Sequence, residues 1–128
     1  MVRIIMVIHI ICEEAEVLVF TTPTYCMHAS APIKPFLNLT FLLWMVHRPK
    51  ACMFGEKAVI LSTAAGNGTG SAIKDIKTAL TFWGIPWIRT CGAVLQASDW
   101  DQVSEKKNKV FVWNDEENAE VGYGFFHQ

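Results

Sequence analysis

The chain has 128 residues, 52% of them apolar, and a net charge of −1 from 11 basic and 12 acidic side chains. That length suits one domain with one core, and the scattered, nearly balanced charge excludes the basic footprint of a nucleic-acid-binding surface. The apolar share exceeds that of a typical soluble domain, which predicts that a cofactor, a partner subunit or further chain covers part of it.

In chain order, the opening run Met1–Cys12 is apolar but too short to span a bilayer. It lacks a small-residue cleavage site and runs straight into Glu13, Glu14 and Glu16, so neither a membrane span nor a secretion signal is expected. Ile4, Ile5, Ile8, Ile11, Cys12 and Ala15 fall at helical spacing, and the expectation for residues 1–16 is helix, although their β-branched density also permits a strand. Val17 to Thr21 reads as a parallel strand buried on both faces, because it is continuously apolar rather than alternating. Thr22 to Ser30 reads as a loop. A helix follows, with Ser30 as its cap, Pro32 in its first turn, and Ile33, Phe36, Leu37, Thr40 and Trp44 on one face. Phe41 to Val46 is apolar all round, which predicts core or an intersubunit surface, and His47-Arg48-Pro49 ends the helix.

Ala58 to Ser62 is the second strand, and it opens into Ala64-Ala-Gly-Asn-Gly68. The next helix carries the stripe Ile73, Ile76, Leu80, Trp83, with Gly84 as its stop and Pro86 beyond. Ile88 to Val94 is a third strand. Asp99 would cap a last helix through Val103, Val110 and Trp113, and the tail from Glu116 is loosely patterned. The order predicts βαβ units with a parallel sheet and helices on both faces. In open sheets of that kind, ligands bind beyond the carboxyl ends of the strands.

The four cysteines, Cys12, Cys26, Cys52 and Cys91, form no C-x-x-C pair, so no metal cluster is expected and a reducing, cytoplasmic setting is. Gly66-Asn-Gly-Thr-Gly70 has spacing G-x-G-x-G, not the G-x-G-x-x-G of a dinucleotide loop, and reads first as a tight turn. Cys26 has no basic neighbour or resolving partner and reads as a buried, inert thiol. His28 and His47 read as loop or helix-end residues, with hydrogen-bond donation to a bound ligand as the sharper alternative. Trp83, Trp87 and Trp100 read as core.

The segment Thr22-Pro-Thr-Tyr-Cys-Met-His-Ala-Ser-Ala-Pro-Ile-Lys-Pro-Phe-Leu-Asn38 resembles the NAD(P)H-dependent FMN reductases and related flavodoxin-like flavoproteins. Their third strand ends in Pro-x-Tyr, followed at a distance by Leu-Lys-x-x-x-Asp; Pro23, Tyr25, Ile33, Lys34 and Asn38 stand at those places. Glu16-Val-Leu-Val-Phe20 resembles the family's lead-in to that strand. Ser62-Thr-Ala-Ala-Gly-Asn-Gly-Thr-Gly70 resembles its glycine loop, and Trp83-Gly-Ile-Pro86 its entry to the fifth strand.

The resemblance implies an α/β flavodoxin-like three-layer sandwich with a parallel sheet, whose strands here correspond to the family's third, fourth and fifth. It implies FMN as cofactor and NAD(P)H as co-substrate, with a small-molecule electron acceptor such as a flavin or quinone. A homodimer is expected, with no nucleic-acid or membrane partner. Carried over by position, Thr22, Pro23, Thr24, Tyr25, Cys26 and Met27 would line one edge of the flavin ring, and Ala64, Ala65, Gly66, Asn67 and Gly68 the other. Tyr25 is the first choice for ring contact, against a plain packing role. The hydride step needs no acid–base side chain, so no catalytic residue is assigned.

One departure is large. The family holds the flavin phosphate in a Ser/Thr-rich loop after its first strand, at a helix N-terminus. No Ser or Thr precedes Thr21 here, so the chain reads as an N-terminally truncated member, or as one whose opening segment replaces strand one without a phosphate loop. The alternatives are an oligomeric remnant without cofactor and a flavodoxin-type electron carrier.

Overall fold

The computed structural model describes residues 14–40, 43, 44, 46 and 50–95, and the backbone of 109–113. Strand β1 (Val17–Tyr25) turns into the short β2 (His28–Ala29), then helix α1 (Ile33–Leu39) and a 3₁₀ turn (Ala51–Gly55). Strand β3 (Lys57–Ala64), helix α2 (Thr69–Trp83), β4 (Trp87–Val94) and β5 (Lys109–Trp113) follow. The sheet order is β2-β1-β3-β4-β5, with β1, β3 and β4 parallel and the two outer strands antiparallel to their neighbours.

Helix α2 forms because its apolar residues recur at helical spacing: Ala72, Ile73, Ile76, Ala79, Leu80 and Trp83 are all buried. It ends at Gly84, whose φ of 92° is cheap only for glycine. There the Gly84 and Ile85 amides donate to the carbonyls of Thr81 and Leu80 at 3.0 and 3.2 Å. Helix α1 stops at Leu39, short of the expected Trp44. At that end the buried Thr40 hydroxyl folds back to donate to the carbonyl of Phe36 (3.0 Å) or Leu37 (2.9 Å), beside the Thr40 amide on the Phe36 carbonyl at 3.1 Å. Ser30 does not cap α1; its side chain is turned to Thr22 instead, and the helix begins without a side-chain cap.

Both crossovers, β1 to β3 and β3 to β4, step in the same direction across the sheet. Crossovers of one hand that step the same way put their helices on one face. The expectation of helices on both faces therefore fails for α1 and α2, which pack together. Phe20 of β1, Phe36 of α1 and Trp83 of α2 form a triangle with ring centroids 6.2–6.3 Å apart. Beneath it Ala58, Ile60, Ile76, Leu80 and Met53 are completely buried.

The strands alternate rather than burying both faces. Leu18, Ile60 and Ile88 point into the core, whereas Val17, Val19, Leu61 and Trp87 share the opposite face and are exposed. Trp87, expected in the core, instead carries the Arg89 guanidinium 5.2 Å above its ring. The last element also differs: Lys109–Trp113 is a strand paired antiparallel to Thr90–Val94, not a helix. Its Val-Phe-Val-Trp run suits a pleated edge better than a helix. Of the expected opening helix residues 14–16 are described, and of these Glu14 is helical whereas Ala15 and Glu16 are not; Asp99, His47, Trp100 and, within Phe41–Val46, residues 41, 42 and 45 lie outside the described residues.

Trp83 joins three elements and is 1% exposed. Trp83→Ala is expected to destabilise the fold by about 3–5 kcal/mol, measured by urea unfolding.

Candidate functional site

Parallel pairing of β1 with β3 runs from Val17↔Lys57 to Pro23↔Thr63. Both carboxyl ends therefore open at one edge of the sheet, where the β1–β2 turn meets the loop between β3 and α2. Side chains stitch that edge. Thr24 Oγ1 lies 3.1 Å from the buried Ser62 Oγ, and the Leu95 amide beyond β4 donates to the Ala64 carbonyl at 2.9 Å.

The segment expected as a loop from Thr22 to Ser30 is a hairpin. Thr24 pairs with Ala29 and Tyr25 with His28, leaving Cys26 and Met27 as a two-residue turn. Both have positive φ, 49° and 66°, as a tight hairpin of this hand requires. Asn and Gly are the usual occupants; for Cys and Met the conformation costs on the order of 1–3 kcal/mol each. The turn persists because other contacts hold it.

One of those contacts is Gly68, the residue ahead of α2, with φ of 100°. A Cβ there would stand 2.8 Å from Thr24 Cγ2, 3.0 Å from Met27 Sδ and 3.1 Å from Met27 Cα. Only the absence of a side chain lets the two loops close on each other. Beside it, Asn67 Oδ1 accepts the Gly68 amide at 2.8 Å and fixes the approach to the helix.

Tyr25, Cys26 and Met27 are thus brought together with Asn67 and Gly68. At the tip Tyr25 is 62% and Met27 48% exposed, apolar surface that the fold leaves open to solvent. Pro23, Ala65, Gly66 and Asn67 are also exposed, and Ala64 is half-buried. Thr22 is placed differently: it is buried, with its Oγ1 accepting the Ser30 amide at 3.0 Å, so it shapes the turn from beneath. Cys26 is exposed, not buried as expected, because a residue at a hairpin tip has no element packed over it. Cys91 is the thiol that burial pushes up from its ordinary pKa.

Asp75 was not legible beforehand. It stands on α2 between Ile73 and Ile76, and its Oδ2 accepts from the Ala29 amide at 3.2 Å and lies 3.1 Å from His28 Nδ1. Lys34 Nζ approaches the same oxygen at 3.7 Å. Nothing local marks such a residue, because its partners are brought to it by two other elements. Two grooves of about 500 and 550 Å³ flank α2; His28, Lys34 and Asp75 line the second, and neither includes Tyr25 or Asn67. The described residues contain no cluster of His, Cys, Asp and Glu able to hold a metal, and no helix long and apolar enough to cross a membrane.

The family model for NADPH-dependent FMN reductase matches residues 8–99. The chain belongs to that family. No curated protein matches it. The reductase family is flavodoxin-like, and the mostly parallel α/β sheet seen here agrees with that fold. Its members are oxidoreductases that work with FMN and NAD(P)H.

The residues present suit one part of that cofactor. The exposed Tyr25 and Met27 offer an aromatic and an apolar surface, and the open backbone from Ala65 to Asn67 offers polar groups for the rim of a flat heterocycle.

Gly68→Ala combines a disfavoured φ with a clash against Met27 backbone, and is expected to cost about 2–3 kcal/mol, read from chemical unfolding. Cys26→Asn relieves the turn and is expected to raise stability by about 0.5–1 kcal/mol in the same assay. At neutral pH iodoacetamide is expected to modify the exposed Cys26 well before Cys91, whose raised pKa leaves less thiolate; peptide mass mapping reads the order.

Proposed function

We propose that this chain binds FMN at the sheet edge formed by the β1–β2 turn and the β3–α2 loop, and uses it to reduce a small-molecule acceptor with NAD(P)H. The observation that carries the reading is the closure of Gly68 onto Thr24 and Met27, which places two loops of a flavoprotein family side by side. On this reading Pro23, Thr24, Tyr25, Cys26 and Met27 border one side of the isoalloxazine ring and Ala64, Ala65, Gly66, Asn67 and Gly68 the other. Thr22 supports the turn through Ser30. When bound, FMN supplies hydride acceptance and donation. The chain's own residues position the ring, cover one edge with apolar surface and present backbone groups to its polar rim. The acceptor is a flavin or a quinone, and the active form is a cytoplasmic homodimer.

A second reading rests on one sequence fact. Residues 1–20 contain no Ser or Thr, and charge-assisted bonds to a phosphate are among the strongest available. On that reading the protein holds no cofactor and acts only as an oligomeric or interaction protein. A third reading, an electron carrier, keeps the flavin but not the nucleotide reaction.

Titration of the purified chain into FMN, followed by flavin fluorescence, separates them. Quenching, with anaerobic bleaching of the bound flavin by NADPH or NADH, is the expected outcome. Bleaching by dithionite alone points to the carrier. Unquenched FMN at the highest soluble protein concentration leaves the cofactor-free reading.

A further inference from the structure

Resting on the FMN-binding reading, we propose that Asp75 is a positioning residue for the flavin-facing turn. From α2, its single carboxylate oxygen takes a backbone amide and an imidazole nitrogen from β2, at 3.2 and 3.1 Å, with the α1 ammonium of Lys34 at 3.7 Å. Three elements meet at one atom.

The turn needs such an anchor. Two non-glycine residues hold positive φ at its tip, and β2 is only two residues long, so its own ladder restrains little. Other restraints are Ser30 N–H on Thr22 Oγ1 at 3.0 Å, Thr24 Oγ1 against Ser62 Oγ at 3.1 Å, and the packing of Met27 on Gly68. The first two act from the strand side and the third from the loop ahead of α2. Asp75 reaches the turn from within the helix layer, further along α2. A hydrogen bond from an amide to a carboxylate is charge-assisted and so of the strong kind, Lys34 adds an ion pair at 3.7 Å, and this carboxylate is the less exposed partner, at 30% against 56% for His28 and 48% for Lys34. His28 and Lys34 face it from β2 and α1, and Lys74 lines the same groove.

Freed from Asp75, the turn would spend part of its time out of the conformation that presents Tyr25 and Met27. A ligand that needs the ordered turn then binds more weakly in proportion to the fraction ordered. The residue touches neither turn-tip side chain in this role; it acts through His28 and Ala29.

The experiment uses the full chain with Asp75→Ala, Asp75→Asn and His28→Ala. Amide hydrogen exchange by NMR is read at Ala29 and His28 and, as the control, at Ile76 and Leu80 of α2. FMN affinity is read by fluorescence quenching. For Asp75→Ala we expect exchange at Ala29 and His28 to speed up by about tenfold or more, α2 exchange to stay within twofold, and the FMN Kd to rise by about tenfold. Asp75→Asn keeps an acceptor for the Ala29 amide and is expected to recover most of both losses; His28→Ala is expected to lose less than Asp75→Ala. Unchanged exchange at Ala29 in Asp75→Ala overturns the proposal. So does an equal loss of protection throughout α2, which would make Asp75 a support of the whole fold. Faster turn exchange with unaltered FMN affinity overturns it too, since the turn would then be held for no ligand. Wild-type protein that leaves FMN unquenched removes the reading of the site, and the exchange comparison still decides whether Asp75 anchors the turn.

Discussion

Everything at the candidate site depends on the parallel pairing of β1 with β3. Because the two strands run the same way and in register to Pro23↔Thr63, their following loops leave the sheet at one edge and within contact distance. An antiparallel pair would have sent Tyr25 and Asn67 to opposite ends. Parallel pairing in turn requires a crossover, and the crossover helix must pack back onto the sheet. Phe20, Phe36 and Trp83 supply that packing, so an aromatic cluster in the core and a loop contact at the edge belong to one chain of cause.

At the edge itself the structure holds a conformation its residues do not favour. Cys26 and Met27 occupy backbone regions that suit Asn and Gly, and they do so under restraint from both sides. Gly68 admits Met27 closely, Thr22 and Ser30 bind the strand side, and Asp75 binds the helix side. Strain gathered in one exposed turn, while the core beneath it is closely packed and regular, is the pattern expected where presentation of side chains matters more than local stability.

The sheet is asymmetric. One face is covered by α1 and α2, and the other presents Val17, Val19, Leu61 and Trp87, with Arg89 stacked on the tryptophan. Among the described residues, part of the exposed apolar surface is therefore located on that face. The same asymmetry explains why strand burial misled the reading of β1. A continuous apolar run describes two apolar faces, and it does not say whether a second layer lies on both.

Local patterns were enough to reveal several features. The stripe on α2, its stop at Gly84, the three parallel strands and the Pro-x-Tyr and glycine-loop motifs could all be read from spacing and residue type, because each depends on neighbours within a few residues. The hairpin at Cys26–Met27 was hidden, since neither residue carries a turn signal and its φ values are imposed from outside. Lys109–Trp113 was misread because helix and strand periods are hard to tell apart over so short a run, and pairing with β4 settled it. Asp75 could not have been found at all, as its three partners come from β2 and α1. The sequence by itself determined the family, the helix–strand order of the central units and the two loops that follow β1 and β3. Only the tertiary structure decided which side chains those loops bury, which face of the sheet α1 and α2 cover and which carboxylate meets β2, because each of those is fixed by contacts between residues far apart in the chain.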